Sequence, residues 1–100
     1  MDFHIFTDKE LTTRIEEPID LGKLKAGEEK EFTFYVFNAS IYPYEELEFS
    51  VDHKEVNVLS APIEMQEKTS SKIILKWKPS VDVKRGLKTS LKIEGFQVIG

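Results

Sequence analysis

The chain has 100 residues, of which 40% are hydrophobic and 32% charged, a composition typical of one globular domain with a single core. It contains no cysteine, which excludes thiolate chemistry, disulfide scaffolds and cysteine-based zinc sites. No stretch approaches the roughly 20 apolar residues of a membrane-spanning helix, and the acidic start does not resemble a signal peptide. We therefore expect no membrane partner, and a protein that is made and kept in a cytoplasm or assembled there.

The formal net charge is only −4, but the charges are unevenly distributed along the chain. Residues 1–67 carry sixteen acidic against six basic side chains, whereas residues 68–100 carry eight basic against two acidic ones. The basic residues alternate along strand-like segments without interleaved aromatic residues, and the whole chain is acidic. Nucleic-acid sites usually combine a basic patch with such aromatic platforms, so we expect no nucleic-acid partner.

The first elements in chain order are a turn and a long strand. Residues 7–10 resemble a capping box, but the apolar run behind them is too short for a helix, and we expect a turn. Residues 31–38 are β-favouring types with apolar side chains on both faces, which predicts a central strand. A turn containing Gly27 precedes this strand. Asn38 ends it, and we expect its side chain to bond the local backbone.

The remaining segments read as further strands at a spacing of about ten residues. They cover residues 46–52, 56–58, the surroundings of Ile63 and Met65, residues 71–78 ending before Pro79, residues 87–94 and a short tail at 96–98. The pattern predicts an all-β, immunoglobulin-like antiparallel β-sandwich of about seven strands, at residues 18–100, preceded by an N-terminal arm at residues 1–17. The predicted core comprises Phe32, Phe34, Val36, Leu47, Phe49, Val51, Ile73, Leu75, Trp77, Leu91 and Ile93.

Two sequence segments resemble a known group of domains. They are IDLGKLKAGEEKEFTFYVFNAS and KIILKWKPSVDVKRGLKTSLKIEG, which resemble the immunoglobulin-like domains of the major-sperm-protein and ASH (abnormal-spindle/Hydin-type) group. The matching positions are turn and strand-end residues: Gly22, Gly27, Asn38, Trp77, Pro79 and Gly86. The resemblance implies a sandwich fold and, more weakly, a domain that binds a protein or peptide. The basic ligand-binding motif of the sperm-protein group has no clear counterpart here.

The start of the chain carries a second resemblance. The segment FHIFTDKELTTRIEEPIDLGKLKAG is similar to short phage virion proteins that place such an arm before the same sandwich. This resemblance implies a structural protein present in many copies on a phage particle.

Enzymatic and metal sites find little support in the sequence. His4 and His53 are the only histidines, and the neighbouring Asp52 points to the opposite face of a strand from His53. The acidic doublets lack the spacing of a calcium loop. We therefore expect no enzymatic activity, no cofactor and no metal.

Two segments are candidates for protein binding. The aromatic loop runs from Ile41 through Tyr42 and Pro43 to Tyr44, and we expect it either to contact a partner or to cap the end of the core. The arm carries Phe3 and Ile5, and we expect it either to contact a neighbouring subunit, for example by adding a strand, or to fold back on its own sheet.

Lysines on the later strands form the third candidate. Lys72, Lys76 and Lys88, with Lys78 and Lys92, are predicted to face outward. The default interpretation is pairing with acidic side chains on neighbouring strands, at about 0.2–1 kcal/mol per pair. The alternative is contact with the acidic surface of a neighbouring copy.

These observations favour a non-enzymatic structural protein of a phage virion, a capsid decoration protein or otherwise a tail component. Its expected partners are capsid or tail subunits and a second copy of itself, and its expected location is the virion, assembled in the host cytoplasm. The alternative is a cytoplasmic immunoglobulin-like adaptor domain that binds a protein or peptide.

Overall fold

The structure, a computed structural model, describes residues 2–99 and is all-β, with no helix in that range. It has nine strands between these residues: β1 (Phe3–Phe6), β2 (Arg14–Ile15), β3 (Ile19–Gly22), β4 (Lys30–Asn38), β5 (Tyr44–Val51), β6 (Val56–Ser60), β7 (Ser70–Trp77), β8 (Leu87–Thr89) and β9 (Leu91–Gln97). The prediction of an all-β, antiparallel sandwich is confirmed.

One layer is a five-stranded antiparallel sheet, here called the main sheet, with the order β2-β1-β4-β7-β6. At its centre, β4 and β7 pair without interruption from Lys30 opposite Trp77 to Phe37 opposite Ser70. Because successive side chains point to opposite faces of a strand, this register puts Phe34 and Val36 on the same face as Ile73, Leu75 and Trp77. That face carries the core.

The other strands form two antiparallel ribbons, β3-β8 and β5-β9. Sequence alternation predicts one strand over residues 87–94, but the structure divides it into β8 and β9 at Ser90. Asp52 holds the division in place, because its Oδ1 accepts hydrogen bonds from the buried Thr89 hydroxyl at 2.6 Å and from the Ser90 amide at 2.9 Å. The same bonds hold the pKa of Asp52 below its usual value.

Most of the predicted core is buried. Seven of the eleven residues are in the buried cluster, and Phe32, Phe49, Val51 and Ile93 pack against it while partly exposed. The sequence did not single out five further members of the cluster, which are Ile5, Ile19, Leu21, Val56 and Met65. These lie on short strands or loops, where too few residues are present for alternation to be recognised.

The N-terminal segment folds back on the chain's own sheet. β1 pairs antiparallel with β4 from Phe3 opposite Asn38 to Phe6 opposite Tyr35, and the Ile5 side chain is only 4% exposed. The segment predicted as an arm, residues 1–17, therefore contributes a strand and a core residue to the domain at 18–100. Pairing with β4 satisfies backbone groups that a free arm would leave exposed on that sheet edge.

The predicted turns and strand ends are also found. Residues after β1 form a turn in which the Asp8 carboxylate accepts the amides of Thr12 and Thr13 at 3.0 and 2.9 Å. These bonds, with one from the Thr12 hydroxyl, lower the pKa of Asp8. At the end of β4, Oδ1 of Asn38 accepts the Ser40 amide at 3.0 Å, as the sequence predicts.

Candidate protein-docking surface

The two histidines lie in different parts of the described chain, on β1 and between β5 and β6. Within residues 2–99, no group of three or more His, Asp or Glu side chains is placed to hold a metal ion. His4 lies on β1 with its Nδ1 buried, while His53 lies between β5 and β6 and accepts the Glu55 amide at 3.2 Å. No helix in the described part of the chain is long and apolar enough to cross a membrane.

The predicted lysines do not share one surface. Lys72 and Lys76 lie on β7 of the main sheet, whereas Lys88 lies on β8 of a separate ribbon. Lys76 forms an ion pair with Glu29 and is partly exposed. Lys88 stands opposite Asp20 in the β3-β8 register, so Lys76 and Lys88 each have an acidic residue of the chain nearby, whereas Lys72 stands opposite Tyr35.

The buried Asn38 side chain holds the aromatic loop by a hydrogen bond. This fully buried side chain donates from Nδ2 to the Tyr42 and Gln66 carbonyls, both at 3.1 Å. Two chain segments are thereby held together at the same end of the domain. Tyr42 and Pro43 are half-buried in this arrangement, whereas Ile41 is 70% exposed.

Tyr44 belongs to the internal structure more than the sequence indicates. Its hydroxyl donates to the Asp2 carboxylate, and its ring centroid lies 4.8 Å from that of Phe3. The hydrogen bond to Asp2 raises the pKa of Tyr44 to about 12, with a contribution from burial. Of the residues predicted for binding, Phe3, Ile5 and Tyr44 thus make contacts within the chain.

Exposed apolar side chains gather near this loop. We call the group the apolar end; it comprises Ile41, Ile63, Phe96, Val98 and Ile99, of which Ile63 is 75% and Phe96 67% exposed. Three hydrogen bonds connect the segments that carry it: Val98 N to Pro43 O at 2.9 Å, Gln97 Nε2 to Ser40 Oγ at 2.8 Å, and Leu47 N to Ile63 O at 2.8 Å. Clustered exposed apolar side chains are typical of interaction surfaces.

Only part of the apolar end can be recognised from the sequence. Ile41 lies in the aromatic loop, for which the sequence leaves partner contact and capping of the core open. Ile63 lies in a predicted weak strand and Phe96 and Val98 in the predicted tail, while Ile99 follows that tail. Apolar residues in such segments are ordinarily assigned to a core, and only the three-dimensional arrangement exposes them together.

A groove of about 1210 Å³ lies beside the apolar end. Its apolar lining includes Phe3, Tyr44, Leu47, Ile63, Ile93 and Phe96. Its charged lining residues are all acidic: Asp2, Glu45, Glu46, Glu48, Glu64 and Glu94. We call it the acidic groove, and a ligand that fits it must combine positive charge with apolar surface.

Comparison with known proteins finds no matching family model, no matching curated protein and no matching solved structure. The resemblances described from the sequence therefore stay predictions. The candidate function depends on the geometry of the chain itself.

Proposed function

We propose that this chain is a non-enzymatic structural protein of a phage virion, present in many copies as a capsid decoration protein or otherwise as a tail component. It attaches to a protein lattice of capsid or tail subunits through the apolar end. The observation that carries the proposal is this cluster of exposed apolar side chains, joined by hydrogen bonds across three chain segments.

The composition of the apolar end suits protein contact. Aromatic and aliphatic side chains at the centre of an interface contribute most of the binding free energy, while a polar rim keeps the free protein soluble. Ile41, Ile63 and Phe96 supply the apolar centre, and the glutamates of the acidic groove supply a polar rim.

The small size of the surface is compatible with attachment in many copies. A domain of 100 residues offers only limited area to each partner. On a repeating lattice, modest contacts at each site suffice when the protein touches more than one subunit or neighbouring copy, because linked contacts raise the overall avidity.

The direct test is the copy number of this chain on purified particles. We expect quantitative mass spectrometry to find it in a fixed multiple of the capsid or tail subunit, and electron microscopy to show ordered density for each copy. Recovery of the chain only as a free protein, or bound to a cellular protein in equal amounts, would contradict the virion assignment. The latter result would favour a cytoplasmic adaptor.

A variant pair tests the attachment surface. Ile63→Ser removes one exposed member of the apolar end, and Val81→Ser removes a similarly exposed valine from the loop between β7 and β8. We expect the first variant to lower occupancy on the particle and the second to leave it unchanged. Equal occupancy for both variants would place the attachment surface elsewhere.

A further inference from the structure

One edge of β9 has no strand partner in the described part of the chain. β5 pairs with the other edge from Leu91 to Gln97. β3 pairs with β8 and reaches only to Ile19 opposite Thr89. Beyond that point, the Leu91 amide donates to the Glu17 carboxylate at 3.2 Å. From Ile93 onward, no strand in the described part of the chain pairs with this edge.

The hydrogen bonds of β9 show which residues point to this open edge. The Ser90 carbonyl and the Val98 amide both bond to residues that flank β5, at 3.3 and 2.9 Å. Both positions are even-numbered, and the backbone polar groups of a strand point alternately to its two edges. The amide and carbonyl groups of Ile93 and Gly95 therefore point away from β5, toward the open edge.

The acidic groove adjoins the same residues. Its lining includes Ile93, Glu94, Gly95 and Phe96, which are consecutive in β9. Gly95 lets β5 approach β9 closely, since a Cβ atom at this position would stand 2.7 Å from Cδ2 of Leu47. β9 thus combines unpaired backbone groups with the apolar Ile93 and the acidic Glu94, and Glu48 stands opposite Glu94 on the neighbouring β5.

We propose that the open edge of β9 accepts an extended segment of a partner protein as an added β-strand, and that this segment alternates basic with apolar residues. The proposal rests on the proposed function and names the chemistry that the lattice protein presents. Backbone hydrogen bonds to Ile93 and Gly95 align the added strand. Its apolar side chains contact Ile93, and its basic side chains pair with the nearest glutamates of the groove, Glu94 on β9 and Glu48 opposite it on β5.

Amide hydrogen exchange measured by NMR on the whole protein tests this inference. The probe is a synthetic peptide of about seven residues with Lys alternating with Val, long enough to span the edge. We expect the amides of Ile93 and Gly95 to exchange rapidly in the free protein and at least about tenfold more slowly with the peptide, because each gains a strand hydrogen bond. The amides of Lys92 and Glu94 face β5, and we expect them to be protected in both states.

Three controls test separately the charge of the peptide, its backbone hydrogen bonds and the charge of the groove. A peptide with Glu in place of Lys tests the charge, and a Lys-Val peptide with N-methylated amides along one edge tests the backbone pairing. In the protein, Glu48→Lys with Glu94→Lys reverses two groove charges on the paired strands β5 and β9, while Glu10→Lys with Glu67→Lys makes the same change in net charge at exposed positions that do not line the groove. We expect the groove variant to bind the Lys-Val peptide about tenfold more weakly, and the control variant to bind like the wild type.

The outcomes separate this inference from the proposed function. Unchanged exchange at Ile93 and Gly95, or equal binding of all three peptides, would overturn it. Protection in the free protein that rises with protein concentration would also overturn it, because the occupant would then be a second copy of this chain. If the wild type occupies particles and the groove variant occupies them equally, the inference fails while the virion assignment stands.

Discussion

The centre of the main sheet and the β5-β9 ribbon are built in opposite ways. β4 is paired along both edges, with β1 and β7, and its pairing with β7 is uninterrupted. β5 and β9 pair across a bulge, and the outer edge of β9 is open among residues 2–99. A strand that is paired along both edges cannot accept a further strand, whereas a strand with an open edge can. We therefore propose that the main sheet supplies most of the stability of the domain and that the β5-β9 ribbon attaches to a partner.

The bulge itself illustrates the difference. Gly95 stands opposite both Glu46 and Leu47, and Glu46 has a positive φ of 53°. That conformation is uncommon for a residue with a Cβ, and bulges of this kind occur near sheet edges and functional sites. In contrast, no described residue of β4 or β7 has a positive φ.

The largest expected effect comes from emptying the core of the main sheet. Trp77 is fully buried at the end of β7, and Trp77→Ala should lower the free energy of unfolding by about 3–5 kcal/mol through lost contacts and a residual cavity. Trp77 Nε1 has no hydrogen-bond partner in the described part of the chain, so Trp77→Phe should cost much less. Urea denaturation measures both variants. Near-wild-type stability of Trp77→Ala would show that this sheet does not carry the domain's stability.

A smaller loss is expected at β1. Ile5→Ala should cost about 2–5 kcal/mol, because the side chain belongs to the buried cluster. Thr7→Ala, at an exposed position just after β1, is the control and should change stability by less than about 0.5 kcal/mol. If Ile5→Ala unfolds at the wild-type urea concentration, β1 is not docked and the N-terminal segment is free to bind a partner.

The N-terminal segment also shows how far the sequence leads. Long strands with clear alternation, such as β4 and β7, follow from the sequence, and so do Asn38 at a strand end and the turn at Asp8. The docking of β1 does not follow, because four residues with apolar side chains fit both a free arm and an edge strand. Choosing between them requires knowing that one edge of β4 would be unpaired without β1.

The candidate site was less accessible to sequence reasoning. Tyr42 and Pro43 lie beside the apolar end as the loop composition suggests, but Tyr44 is held by Asp2, which is distant in sequence. Ile63 and Phe96 line the same groove because β5 binds a different segment on each side. Long-range pairings of this kind leave no local pattern.

An effect of intermediate size, which depends on pH, is expected at Asp52, where the β5-β9 ribbon adjoins the β3-β8 ribbon. The Thr89 hydroxyl and the Ser90 amide lower the pKa of Asp52 from its ordinary 3.8. Because the pKa of Asp52 is lower in the folded state than in the unfolded state, the ionised carboxylate stabilises the fold at any pH above the unfolded-state pKa. This stabilisation is lost as the pH falls through the folded-state pKa. Asp52→Ala should therefore lower the melting temperature at neutral pH. On acidification below about pH 4, the melting temperature of this variant should fall less than that of the wild type.

Glu67→Gln, at an exposed position, is the control for this experiment. Its melting temperature should follow the wild-type pH dependence. If Asp52→Ala shows the same acid dependence as the wild type, the bonds to Thr89 and Ser90 do not hold the division between β8 and β9.

The smallest effect on stability is expected at Phe96, where the effect on binding should be greatest. Phe96 is 67% exposed on β9, and Val81 is 65% exposed in the loop between β7 and β8. Replacing either by Ser should change the free energy of unfolding by less than about 0.5 kcal/mol, since little buried surface is lost. Phe96→Ser should nevertheless reduce occupancy on particles, whereas Val81→Ser should not, because an exposed aromatic side chain in an interaction surface is buried only on binding. A Phe96→Ser variant that is clearly destabilised would show that the ribbon contributes to the fold as the main sheet does, and the division between the two regions would fail.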